Sequence, residues 1–308
     1  MSRRLRVLEL FCGIGGCAAA LGDSAEVVAA IDIDRTALDV YAANFAHATQ
    51  ARTIESIPAR ELAAFDADLW WMSPPCQPFT RRGAERDVAD PRCQALLALI
   101  ERIRDVRPPI VALENVPGFV ESVARQRLLA GLDDSGYHVH ETLICPTQLG
   151  IPNRRLRYYL LARQSGWKCE EASLSHDAPF KDGDNADAIQ PLRDFLDMEA
   201  DPRFDVAPQL LADYSTAIDL IDADDPHAIA ACFTSAYGKS PIRSGSYLEH
   251  ADRIRRFTPR EISRLLGFSQ PFGWPPNTTD RTAWRLLGNS LAVHAVRHVL
   301  GQLLSPNR

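Results

Sequence analysis

Ser73-Pro-Pro-Cys-Gln-Pro-Phe-Thr80 sets one cysteine between prolines in a rigid turn, directly after the apolar run 67–72. A structural thiol more often lies inside a strand. A thiolate in a turn, with free backbone N–H groups and with Arg81 and Arg82 nearby, is a soft nucleophile whose pKa those groups would lower. Glu114 follows the apolar run Ile110–Leu113, where partial burial would raise its pKa and let it hold a proton beside such a cysteine. In Asn153-Arg-Arg-Leu-Arg157, period-two alternation puts Arg155 and Arg157 on one face, suited to a carbonyl or phosphate oxygen. Phe11-Cys-Gly-Ile-Gly-Gly16 lets the backbone approach a ligand, although its spacing is not GxGxxG and a merely tight turn would read the same way. Asp32, ending the second apolar run, either accepts from ribose hydroxyls or is an exposed turn carboxylate.

These residues need elements to position them. Arg6–Leu10, Val27–Ile31, 67–72, Ile110–Leu113 and Tyr158–Ala162 read as buried strands. Helical patterns lie at 17–21, Thr36–Phe45 and Ala95–Ile103. Strands alternating with helices predict an α/β fold, a doubly wound, mostly parallel sheet, with ligands at the strand C-terminal ends. Every candidate in the first half of the chain sits at such an end. Past Gln164 the alternation fades, with a short helical piece at Pro191–Met198. Helical signals return at the capping-box spacing Thr258-Pro-Arg-Glu261 and in a last helix over Ser290–Leu304. The expected division is 1–163 plus 272–308 as a catalytic domain and 164–271 as a smaller inserted target-recognition domain.

The 308-residue chain is 46% hydrophobic and 24% charged, a globular composition that excludes disorder and collagen-like repeats. No apolar window reaches the roughly 20 residues of a membrane span, and no secretory signal is visible. Seven cysteines without a CxxC pair predict a reducing, cytoplasmic compartment and no zinc. Net charge is −6, unevenly spread. Gln164–Arg253 holds 18 acidic and 7 basic residues, net −11, and the remainder 22 acidic and 27 basic, net +5. The acidic block would repel a duplex backbone, so phosphate contacts should come from elsewhere.

Taken in order, Leu8-Glu-Leu-Phe-Cys-Gly-Ile-Gly-Gly16, Pro74-Pro-Cys-Gln77, Glu114-Asn-Val116, Asn153-Arg-Arg-Leu-Arg157, Arg256-Phe-Thr-Pro-Arg-Glu261 and Gly288-Asn-Ser290 resemble the successive motifs of the S-adenosylmethionine-dependent cytosine-5 methyltransferases. The resemblance covers nearly the whole chain. It is strongest to the branch that modifies an anticodon-loop cytosine of tRNA, of the tRNA-Asp type. Thr147 to Tyr158 and above all Cys232-Phe-Thr234 carry that likeness. Asn153 stands where most DNA-modifying relatives have Gln, and the tRNA branch is similar to this sequence there. Thr53 replaces an aspartate that binds the adenine amino group in many relatives, leaving that contact to nearby backbone groups.

The resemblance implies a covalent mechanism. Cys76 adds to C6, Glu114 bonds or protonates N3, and Arg155 or Arg157 holds the thiolate surroundings and the base O2. It implies S-adenosylmethionine at Phe11, Gly13, Ile14, Gly15, Gly16, Asp32, Ile33, Thr53, Ile54, Pro75, Asn289 and Ser290, leaving as S-adenosylhomocysteine. Substrate contacts are expected at Arg81, Arg82, Cys232, Phe233 and Thr234, although Phe233 packed in a core is an equal reading. The implied partner is tRNA, with weak DNA binding left open, no membrane and a monomeric chain. A DNA cytosine-5 methyltransferase and a catalytically inactive nucleic-acid-binding relative are the competing functions.

Overall fold

Parallel strands covered on both faces are apolar throughout, and the first half of the chain follows that pattern. The computed structural model describes residues 3–79, 87–164, 189–250 and 253–304. In chain order come β1 (Leu5–Leu10), α1 (Gly16–Leu21), β2 (Ala25–Asp32), α2 (Arg35–Asn44), β3 (Thr49–Ala51), α3 (Ala59–Ala64), β4 (Leu69–Met72), α4 (Gln94–Val106), β5 (Ile110–Asn115), α5 (Val123–Asp134), β6 (His138–Ile144) and β7 (Arg157–Arg163). β4 and β5 are buried at every position. On α4 the buried Leu96, Leu99, Ile100 and Ile103 recur at helical spacing and form the stripe that faces the core. Helix α2 starts where the Asp34 carboxylate accepts from Thr36 and Ala37 N–H.

The sheet runs β3-β2-β1-β4-β5-β7-β6. β7 is antiparallel to both of its neighbours, and the pairings from β3 through β5 are all parallel. The doubly wound, mostly parallel sheet expected from the alternation is the one observed. Sequence order reverses between β1 and β4, the switch point where such sheets bind ligands.

Residues 1–144 with 156–177 form one compact unit, and 145–155 with 178–308 form the other. The second contains α6 (Pro208–Tyr214), β8 (Asp219–Asp222), β9 (Ser246–His250), β10 (Arg253–Arg256), α7 (Pro259–Leu266), α8 (Asp280–Gly288) and α9 (Val293–Leu304). Its three-stranded sheet runs β10-β9-β8. These units and the expected division part at three places: 145–155 and 272–308 fall in the second unit, and 164–177 in the first. Within that unit the Trp284 ring meets Tyr237, α9 packs on the turn 146–149, and Arg155 bonds to carbonyls near Phe233 and Ser290. Pro191–Met198 holds only one 3-10 turn, Leu192–Phe195, and the last helix begins at Val293 instead of Ser290. Among the described residues no helix is long and apolar enough to cross a membrane.

The capping box at Thr258 is present, and its glutamate does more than cap. Glu261 is fully buried and accepts from Thr258 N–H, Asp197 N–H and both terminal nitrogens of Arg255, at 2.7–2.9 Å. Glu261→Ala should therefore lose about 3–5 kcal/mol of stability, because the Arg255 charge stays buried without its partner. Urea denaturation measures this. A loss below about 1 kcal/mol, the scale of an exposed pair, would show that Arg255 reaches solvent.

Candidate functional site

Backbone pairing decides what lies together at the switch point. Leu10 of β1 registers with Met72 of β4, and Ser73 N–H donates to Leu10 O at 3.3 Å, so the chains leaving the two strands start side by side. Asn115, at the end of β5, donates from Nδ2 to Pro74 O at 3.2 Å. Its Oδ1 accepts from Val116 N–H at 2.9 Å, which fixes the amide's orientation. The Pro-Pro-Cys turn is thus tied to the strand that carries Glu114. Cys76 is half-buried, and its carbonyl accepts from Phe79 N–H at 2.9 Å to close a 3-10 turn over 77–79.

Glu114 registers with Tyr159 of the antiparallel β7, so Arg157, two residues earlier, is its diagonal neighbour on the same face. Arg157 Nε lies 3.3 Å from Glu114 Oε1, and both side chains are largely buried. A carboxylate taken out of water beside the Pro-Pro-Cys turn is thereby charge-compensated. Arg155 serves different partners. It is 3% exposed, and its Nη1 donates to Phe233 O at 2.9 Å and lies 3.5 Å from Cys232 Sγ. Its Nη2 donates to the carbonyls of Gly288 and Ser290. The expected pairing of Arg155 with Arg157 on one substrate oxygen is corrected by these bonds, which engage both terminal nitrogens of Arg155 inside the second unit.

The glycine-rich turn is braced from below. Asp32 Oδ2 accepts from Gly13 N–H and Oδ1 from Asp34 N–H, each at 2.8 Å, and burial raises the pKa of this carboxyl. Gly13 has φ +53 with open space where a side chain would stand, which leaves room for a ligand. Gly15, at φ +88, sits directly against the Phe45 and Tyr41 rings. Phe11 holds φ +57, a region that bulky residues rarely occupy and that tends to cluster at functional sites. Ile33, just past β2, is 69% exposed, an apolar face beside the Asp32 carboxylate. A nucleoside cofactor fits an open glycine, an acceptor and an exposed aliphatic side chain in this way. Ile14 and Gly16 are buried within the turn, Pro75 is half-buried, and Thr53 is exposed. Ile54 is 3% exposed and belongs to the main apolar cluster.

Beneath this turn lies a network that periodicity alone did not reveal. Glu9 is fully buried in β1, and Tyr41 OH donates to its Oε2 at 3.0 Å while pairing with His47 Nδ1 at 2.9 Å. Burial raises the Glu9 carboxyl to about 8 and lowers the His47 imidazole. The signal was available: a single acid, Glu9, between the apolar Val7-Leu8 and Leu10 of β1.

In the second unit, Phe233 is 2% exposed and packs its ring on Tyr237 and Phe257, so the expected substrate contact is corrected to a core position. Thr234 Oγ1 accepts from Ala236 N–H, and its backbone closes on Gly288, where a side chain would collide. Asn153 donates to the carbonyls of Ala230 and Ala231, Asn289 is exposed and Ser290 buried. Arg81 and Arg82 lie outside the described residues.

A seven-stranded sheet of this order, with its antiparallel seventh strand, is that of the S-adenosylmethionine-dependent methyltransferases. Residues 5–305 match the model of the C-5 cytosine-specific DNA methylase family, and the chain belongs to that family. It is 34% identical to the tRNA (cytosine(38)-C(5))-methyltransferase of Schizosaccharomyces pombe, over 99% of this chain and 98% of the other. To the human enzyme of the same name it is 32% identical, over 96% and 98%. The crystal structure of S. pombe Dnmt2 methyltransferase superposes with a TM-score of 0.85 at 33% identity, covering 98% of each chain.

The buried Glu9 gives a pH test. Its folded carboxyl keeps a proton up to about 8, whereas an unfolded one releases it near the ordinary 4.5, so the native state binds more protons in that window. Stability should fall as pH rises through it. Glu9→Gln removes this titration while Asp32 remains, and the variant's melting temperature should decline less between those two values. An identical pH slope in both proteins, read by thermal denaturation, would rule Glu9 out as the source.

Proposed function

We propose that this chain transfers a methyl group to C5 of a cytosine in the anticodon loop of a tRNA. The observation that carries the chemistry is the tie from Asn115 to Pro74, which joins the turn of Cys76 to the strand of Glu114. The near full-length likeness to enzymes named for tRNA cytosine methylation supports the substrate. Cytoplasmic residence and a monomeric state complete the reading.

C5 of cytosine is too poor in electrons to accept a methyl cation equivalent directly. Cys76 loses its proton, and the thiolate forms a bond to C6, sending the C5–C6 electron pair toward C5. Glu114, carrying a proton, donates it to N3 of the ring and so neutralises the charge displaced by that addition. Arg157, held against Glu114, is placed to meet the base O2 and keeps the Glu114 carboxyl group in position. Loss of the C5 proton later returns the electron pair, breaks the bond to C6 and restores the thiolate. S-Adenosylmethionine, when bound, supplies the electrophilic sulfonium methyl and departs as S-adenosylhomocysteine. The turn 11–16 with Asp32, Ile33, Thr53 and Pro75 would hold it, and Asn289 and Ser290 are proposed as further contacts. A stacked base hides C6, and an unpaired loop cytosine lowers the cost of reaching it. Arg81 and Arg82 are proposed to meet phosphates, and Cys232 and Thr234 to serve RNA recognition from the second unit.

Tritiated-methyl transfer to total tRNA and to duplex DNA separates the two substrates. Strong labelling of tRNA and little of DNA is expected, and the reverse would install a DNA methyltransferase in its place. Cys76→Ala should abolish labelling with cofactor affinity nearly intact, and a 5-fluorocytosine tRNA should trap the wild-type protein covalently. Retained turnover in the alanine variant would remove Cys76 as nucleophile.

Asp32→Ala should weaken cofactor binding by roughly 1–3 kcal/mol in calorimetry, the scale of a hydrogen bond to a charged group. Unchanged affinity would limit Asp32 to bracing Gly13.

A further inference from the structure

Asp87 stands 11 residues beyond Cys76 and holds φ +46, a left-handed backbone region that aspartate and asparagine enter more readily than other residues with a Cβ. Both of its carboxylate oxygens accept from the first N–H groups of α5, Oδ2 from Val123 and Oδ1 from Ala124 at 3.1 Å. Helix α5 already has a local cap, because Ser122 Oγ accepts from Arg125 N–H at 3.0 Å. Asp87 is therefore an additional acceptor from 36 residues away, and a carboxylate is the favoured charge at that helix end.

The turn that Asp87 opens, 87–89, packs against two other 3-10 turns, 77–79 directly after Cys76 and 91–93. Asp90, only 4% exposed, caps the third turn through Arg92 N–H and also binds the Arg92 guanidinium at 2.6 and 2.9 Å. On the near side of Cys76, Phe79 sets its ring 5.0 Å from Phe119. Its carbonyl abuts Gly118, where no Cβ would fit. Both fastenings, Phe79 and Asp87, land on residues 118–124, the stretch that follows Glu114-Asn115.

We infer that Asp87 is a positioning residue for the Cys76 turn, clamping it to the start of α5 so that nucleophile and acid keep a fixed separation. The inference rests on Cys76 being the nucleophile of the proposed reaction. Addition to C6 needs the thiolate placed within a fraction of an ångström, and a two-point anchor serves that need.

The test uses the full chain and the variants Asp87→Ala and Asp87→Asn. Adduct formation with 5-fluorocytosine tRNA should slow about tenfold or more in Asp87→Ala, with cofactor affinity within about twofold of wild type, since only placement of the reacting groups changes. Asp87→Asn keeps one acceptor oxygen and tolerates positive φ, so it should recover part of the rate. A second readout needs no RNA. Alkylation of Cys76 by iodoacetamide, followed by peptide mass mapping against Cys232 as internal reference, should change several-fold in Asp87→Ala, because the access and surroundings of this half-buried thiol depend on the turn staying anchored.

Wild-type rates in both assays would overturn the inference. So would losses that merely follow the unfolded fraction and vanish at lower temperature. A wild-type protein inert toward tRNA whose Cys76 alkylation still depends on Asp87 would sink the substrate reading and leave the anchor standing. If that alkylation ignores Asp87, the anchor falls as well.

Discussion

The pairing of β1 with β4 is the constraint on which the first unit's chemistry depends. Parallel register of Leu10 with Met72 makes the glycine-rich turn and the Pro-Pro-Cys turn leave the sheet from adjacent strand ends. Four residue-to-residue pairings set where two otherwise unrelated loops begin, and buried parallel strands hold register firmly because a one-residue slip would turn every side chain to the wrong face. β5 then brings Glu114 and Asn115 to the same edge, and the antiparallel β7 returns Arg157 to face them. Cys76, Glu114 and Arg157 each stand at a strand end or a few residues beyond it.

The sheet was legible in the sequence for a physical reason: buried parallel strands are unbroken apolar runs, and β1, β2, β4, β5 and β7 announced themselves that way. β3 is three residues long and β6 is exposed to half-buried along most of its length, so neither produces such a run. The turn of Cys76 and the strand-end place of Glu114 were readable because turn prolines and an acid closing an apolar run are local signals. Arg155 was misread because alternation gives a side chain's face and not its partner, and its acceptors come from far along the chain. Phe233 shows the same limit, since one aromatic residue suits a core and a binding loop equally well. Asp87 has no local signature at all, its meaning lying in a helix end 36 residues away.

Burial of polar groups separates two kinds of position. Glu114 and Arg157 lie close together and are largely buried, a setting that strengthens the electrostatic interaction between them. Glu9, Arg155 and Glu261 are buried more deeply and bonded to the protein's own groups, so their polarity specifies geometry. Free cysteines follow a similar split: Cys12, Cys17, Cys93 and Cys145 are buried, whereas Cys76 and Cys232 retain partial access.

Arg155 also bears on the order in which the chain is made. During synthesis it emerges long before the carbonyls that will hold it, 133 residues ahead of Gly288 and 135 ahead of Ser290. The strands of the large sheet are all available once β7 has been made, but the second unit must wait for almost the last residues of the polypeptide. Until then a guanidinium destined for the interior keeps its water. A chain released early, short of α8, would retain a complete sheet and the Cys76 turn while leaving that cation no interior to enter.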